Sequence, residues 1–132
     1  MEKMKQIIIK SLREYPSILD FYKKKNYLIV DINLAELKEK KELLNFISNK
    51  LKFPSFSGEN LDAFRDWLLD LSWLKEIKVV ILIKNLEGLV SLPLFKILFE
   101  LLEEAHDYHK ENGNKFSTII FNDFEKSGEN EK

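Results

Sequence analysis

The chain has 132 residues, 45% of them hydrophobic and 33% charged, which fits one packed domain and excludes both a disordered polymer and two lobes around a cleft. Its 21 basic and 22 acidic side chains leave a net charge of −1, so no global field draws it onto nucleic acid or an anionic membrane. It has no cysteine, which excludes disulfides, thiolate nucleophiles and Cys-ligated zinc; with only three consecutive apolar residues, Ile7 to Ile9, near Met1, a cytoplasmic location is expected.

Residues 1–25 carry seven Lys or Arg against Glu2, Glu14 and Asp20, a local charge of +4 that leaves −5 for the remainder. A helical pattern there is interrupted at Tyr15-Pro16, since proline disfavours helix in the residue before it. The segment is expected to be a basic helical N-terminal extension. Tyr27 to Ile32 is short, β-branched and followed by Asn33, as a buried strand would be. From about Ala35 to Lys50 an amphipathic helix is predicted: Leu43, Leu44, Ile47 and Leu51 recur at three- and four-residue steps after Leu37. Phe53-Pro54 ends it.

Ser55 to Glu59 reads as a loop, and Asn60 is placed to cap a helix that runs to Leu71. Val79 to Asn85 is a second strand, apolar on both faces as parallel strands are. Its run of five apolar residues is far below the ~20 needed to span a bilayer. Leu92 to about Glu111 is a long helix opened near Pro93 and stopped by Asn112-Gly113-Asn114. Ser117 to Phe121 is the third strand, and Glu125 to Lys132 a charged tail expected to fray. Strands separated by crossover helices pair in parallel. The expected fold is therefore α/β, a three-stranded parallel sheet covered by helices over residues 26–124, with the extension (1–25) before it and the tail (125–132) after it.

On a wheel of 100° per residue, Leu61, Phe64, Trp67, Leu68 and Leu71 share one arc, and Asp62, Asp66 and Asp70 lie opposite. Glu59 extends the acidic row. Like charges at i,i+4 disfavour a helix by a few tenths of a kcal/mol per pair, and only Asp62 gains from the helix dipole. A solvated helix face accounts for such a row on pattern alone. A second acidic cluster, Glu100, Glu103, Glu104 and Asp107, lies on the long helix, where Glu104 precedes Tyr108 and Glu103 precedes Asp107 by four residues. No salt-bridge spacing explains it.

The loop and the helix after it, Phe53-Pro54-Ser55-Phe56-Ser57-Gly58-Glu59-Asn60-Leu61-Asp62-Ala63-Phe64-Arg65-Asp66, resemble the signature of the barstar family of intracellular ribonuclease inhibitors. The likeness extends to the order of elements from about Tyr27 to Asn122. It implies a non-enzymatic protein that plugs the active site of a ribonuclease, with carboxylates standing in for RNA phosphates. By that resemblance Asp66 is the central acid and Asp62 its partner one turn earlier. Phe56 matches an aromatic that sits over a catalytic histidine, Gly58, Asn60 and Leu61 match loop contacts, and Glu104 or its neighbour Glu103 matches a rim acid. Arg65 stands where the family pattern has tryptophan, and a cation there would face a basic enzyme or fold back onto Asp62 or Asp66. The implied partner is a cognate ribonuclease, such as a bacterial toxin for which this chain is the immunity protein. No cofactor, metal, membrane or direct nucleic-acid partner is implied, and the free protein is expected to be monomeric.

The other readings are plainer. Trp67 lies on the apolar arc and is expected in the core, while Trp73 is open. His106 and His109 lack a third ligand fixed by spacing and are expected at the surface. Gly58 has no second glycine or Gly-Lys-Ser/Thr beside it, which removes a phosphate loop. Lys23-Lys24-Lys25 reads as a solvated turn. An enzyme would have to rely on Glu103, Asp107 and the histidines, with no nucleophile or cofactor loop to support them. The alternative within the binding class is a module on the same scaffold that recognises a different basic protein.

Overall fold

The computed structural model describes residues 7–37, 39–86 and 92–122. Among these residues four strands form one parallel sheet: β1 (Ile7–Ser11), β2 (Leu28–Asn33), β3 (Lys78–Lys84) and β4 (Lys115–Asn122), in the order β1-β4-β3-β2. The helices between them are α1 (Tyr15–Lys24), entered through a 3-10 turn at Leu12–Glu14, then α2 (Lys40–Lys50), α3 (Leu61–Asp70) and α4 (Leu92–Glu111).

The expected three-strand sheet therefore needs correction: a fourth strand comes from the segment expected to be helical. Ile7 pairs with Thr118 and Ile9 with Ile120, so β1 extends the β4 edge. Three isoleucines in a row are too few for a periodicity signal, and an edge strand buries only part of them. Ile7 is buried, whereas Ile8 and Ile9 are largely exposed. The proline that breaks the helical pattern at Tyr15-Pro16 sits in the first turn of α1, where its missing N–H costs nothing. The charged tail from Glu125 lies outside the described residues, as do Lys3 and Lys5 of the basic segment.

Strand β3 lies between β4 and β2 and buries Val79 to Ile83 completely, the pattern of a strand covered on both faces. Alternation sends Val79, Ile81 and Ile83 to one side. There they join Val30, Ile32, Ile120 and the inner faces of α2, α3 and α4 in the main core. Val80 and Leu82 point the other way, with Ile119 and Phe121, and are covered by α1 through Tyr15, Ile18, Leu19 and Tyr22. Those four residues follow an i, i+3, i+4, i+7 helical stripe.

Helix α2 starts five residues later than expected. The Asn33 side chain accepts the Ala35 N–H at 3.0 Å, which holds a turn at 34–36. Glu39 then caps the helix in a reciprocal capping box with Glu42, satisfying amides that the first turn leaves without partners. Among the described residues no helix is long and apolar enough to cross a membrane.

Candidate protein-binding site

The acidic row is built on a rigid base. After α2 the chain turns at Lys52, whose φ is +62°, and Phe53 donates its N–H to the Ser48 carbonyl at 2.9 Å. Phe53 lies at the centre of an aromatic nest, with ring centroids 5.5 Å from Phe64, 5.8 Å from Trp73 and 6.1 Å from Phe56. Trp67 and Trp73 meet edge to face at 5.4 Å, and the Trp73 Nε1–H donates to the Leu51 carbonyl at 2.9 Å. The nest fixes the loop from beneath, as interlocked aromatics do at a contribution of ~0.5–1.5 kcal/mol per pair.

From above, the loop is tied to α2: the Gly58 N–H donates to the Asn45 Oδ1 at 3.3 Å. Gly58 has φ +98°, a conformation L side chains rarely adopt, although a Cβ there would meet nothing within 4 Å. The demand for glycine is thus set by the backbone and not by crowding. Asn60 accepts the Ala63 N–H at 3.0 Å and caps α3. Phe64 and Leu68 are fully buried beneath the helix, while Asp62, Arg65, Asp66 and Asp70 face outward. At its C-terminal end Leu71 adopts the left-handed conformation, φ +51°, and closes the helix onto the Trp67 carbonyl.

The structure thus brings Gly58, Asn60, Asp62, Arg65 and Asp66 to one rim and sets Phe56 and Leu61 half-buried at its base, both packed against the main core. Asp62 and Asp66 stand about 6 Å apart along the helix axis, from the 1.5 Å rise per residue. The Asp66 side chain is 78% exposed, and the Arg65 Nη1 lies 3.9 Å from its Oδ1.

The second acidic cluster divides. Glu103 is buried, whereas Glu104 is half-exposed and faces α3, so of the two only Glu104 is accessible at the surface. Glu104 has the cross-helix partner that spacing along one helix could not disclose. Arg65 donates from Nε to the Glu104 Oε1 at 2.8 Å and from Nη2 to Oε2, a bidentate fork of the kind planar guanidinium favours. That fork, with Asp66 and Asp62 nearby, raises the already high pKa of the guanidinium. Arg65 therefore folds back, as one of the two expected outcomes had it, but chiefly onto Glu104. Beside this pair Ile97, Glu100, Leu101, Glu104 and Asp107 line a groove of ≈ 520 Å³.

His109 is a correction: it is buried, not at the surface. Its Nε2 lies 3.0 Å from the Leu68 carbonyl at the end of α3 and so carries the proton; its ring stacks on Phe116 with centroids 5.4 Å apart, and among the described residues Nδ1 has no hydrogen-bond partner. Burial lowers its pKa, against smaller opposing effects of the Leu68 carbonyl and Asp70. The signal was present in the sequence, since Leu98, Leu102, Ala105 and His109 continue one helical stripe into the core. Among the described residues no three His, Cys, Asp or Glu side chains converge to hold a metal ion.

On the other side of the sheet, the Tyr15 hydroxyl donates to the Asp31 Oδ2, and the Lys84 Nζ lies 3.9 Å from Oδ1 and 4.1 Å from the Tyr15 ring centroid. Burial first, and Asp31 second, push the Tyr15 pKa up to about 12.

Two comparisons with known proteins bear on this geometry. The sequence model of a family described as Barstar (barnase inhibitor) matches residues 27–120. No curated protein matches the chain.

Proposed function

The chain belongs to the barstar family, a family of inhibitors and not of enzymes, and from that premise we propose that it is an intracellular inhibitor that blocks the active site of a cognate ribonuclease. The observation that carries the reading is the pair Asp62 and Asp66: outward carboxylates one turn apart on a helix pinned from below by Phe64 and Leu68. A pocket built to grip phosphate offers convergent Arg, Lys and His donors, and a fixed carboxylate satisfies them with charge-assisted hydrogen bonds. Because α3 and its loop are held by packing, capping and the Gly58–Asn45 bond, little ordering entropy is lost when the acids dock.

In this reading Asp66 enters the phosphate site, Asp62 neutralises a second cation, and Gly58, Asn60 and Leu61 give the loop its shape. Phe56 packs from the loop base toward the catalytic side chains. The biological setting in this reading is immunity of a producing cell to its own ribonuclease toxin. The free chain acts as a monomer in the cytoplasm, without a cofactor, metal or nucleic acid of its own.

The test couples the chain to a resin, recovers from extracts of the source cells a protein with ribonuclease activity, and titrates that activity with the wild type, D62N and D66N. Stoichiometric inhibition by wild type is expected, with D66N weaker by about a hundredfold and D62N by less. Truncating one partner of a buried charge pair costs about 2–5 kcal/mol, a magnitude that itself comes from the barnase–barstar interface; about 2.7 kcal/mol is a hundredfold. Recovery of a non-nuclease that binds D62N and D66N as tightly as wild type overturns the proposal.

A further inference from the structure

A guanidinium has two edges that can each bind a carboxylate bidentately. The edge made by Nε and Nη2 is taken by Glu104. The other, made by Nη1 and the second hydrogen of Nη2, has no hydrogen-bond partner among the described residues: the Asp66 Oδ1 at 3.9 Å from Nη1 is beyond hydrogen-bond reach. The Arg65 side chain is 45% exposed, which lets an incoming molecule reach the guanidinium. Its direction is set by Glu104, since a forked guanidinium cannot turn without breaking two charge-assisted bonds.

We propose that Arg65 is a specificity-determining residue, whose end-on edge, aimed by Glu104, receives a carboxylate of the cognate ribonuclease beside the cations that receive Asp62 and Asp66. This rests on the inhibitor reading above and deepens it. The acidic surface is thereby a pattern of signs, with acids at Asp62 and Asp66 and a fixed cation between them and α4. An enzyme that offers a cation opposite Arg65 meets like charge in a desolvated interface, which repulsion makes costly. An enzyme with an acid there gains two charge-assisted hydrogen bonds with little further side-chain ordering. Discrimination therefore comes from a repulsive element as well as an attractive one. Glu104 acts here as a positioning residue, through Arg65.

The test uses the ribonuclease recovered with the wild-type chain as its probe, and measures dissociation constants for R65A, R65K, R65E, E104Q and D66N. R65A is expected to weaken binding at least tenfold. R65K, which keeps the charge and cannot fork, should lie near R65A, and E104Q between R65K and wild type. R65E should be the weakest of the Arg65 series and should be rescued by reversing one surface acid of the nuclease to lysine. A purely structural role for Arg65 would not show that rescue. Thermal melting of each variant in isolation keeps loss of fold apart from loss of contact. If R65A binds as tightly as wild type or more tightly, or if no acid reversal in the nuclease rescues R65E, the inference is overturned. If D66N also binds as wild type, the inhibitor reading falls with it; if D66N is weak while R65A is not, only the present inference falls.

Discussion

The two sides of the sheet are covered by different chemistry. On one, α2, α3 and α4 enclose a continuous aliphatic and aromatic core in which Phe64, Leu68, Leu43 and Ile81 are fully buried. On the other, α1 buries none of its residues completely and rests on a smaller cluster of Val80, Leu82, Ile119 and Phe121, with the Tyr15–Asp31–Lys84 contact at its margin. The contrast bears on where the acidic face of α3 sits. A row of like-charged carboxylates costs helix stability, and the side with the deeper apolar burial can hold such a row in place.

The sharpest way to break the contrast is to remove the base of α3. Phe64→Ala should cost about 3–5 kcal/mol, as large-to-small core changes do, visible as a large drop in the midpoint of urea unfolding, and ribonuclease inhibition should fall with the folded fraction. Tyr15→Phe strikes the opposite side: it leaves the half-buried Asp31 carboxylate short of one hydrogen bond and should cost about 1–3 kcal/mol while leaving affinity for the nuclease unchanged. A loss of affinity in this variant, with the protein still folded, would show that the two sides are coupled.

Titration sharpens the same contrast in opposite pH windows. Tyr15 has a raised pKa in the folded state, so its contribution is fully present below pH 10 and is lost as pH rises through about 12. His109 has a lowered pKa because it is buried, so the unfolded chain binds more protons than the folded one and stability declines as pH falls below the ordinary histidine value near 6.5. Urea midpoints measured from pH 7.5 to pH 5 should fall in the wild type and fall less in His109→Gln. Equal slopes would remove His109 as the cause. Because its Nε2–H holds the Leu68 carbonyl, the acid-induced loss should be felt first at the C-terminal end of α3.

Which features were legible follows from how local their causes are. β2, β3 and β4 are runs of β-branched and apolar residues, and each lies within two residues of its expected position. The cap of α3 was legible because Asn60 satisfies an amide three residues away, and the exposed acids followed from the arc that Phe64 and Leu68 define. β1 was not legible: Ile7 to Ile9 acquire their meaning only from β4, more than a hundred residues later. Nor was the Arg65–Glu104 fork, which joins residues 39 positions apart on different helices. Lysine and glutamate spacing along a single helix carries no information about a partner on its neighbour. The Barstar match covers residues 27–120 and leaves β1 and α1 outside it, so the cover on the second side is an addition to the matched part of the chain.

The most direct test of phosphate mimicry is competition. The captured ribonuclease is titrated with this chain by calorimetry, first alone and then with a mononucleotide occupying its active site. If Asp62 and Asp66 fill the phosphate sites, the apparent affinity falls in proportion to nucleotide occupancy and recovers when the nucleotide is removed. An affinity indifferent to bound nucleotide would place the contact elsewhere on the enzyme and contradict the account.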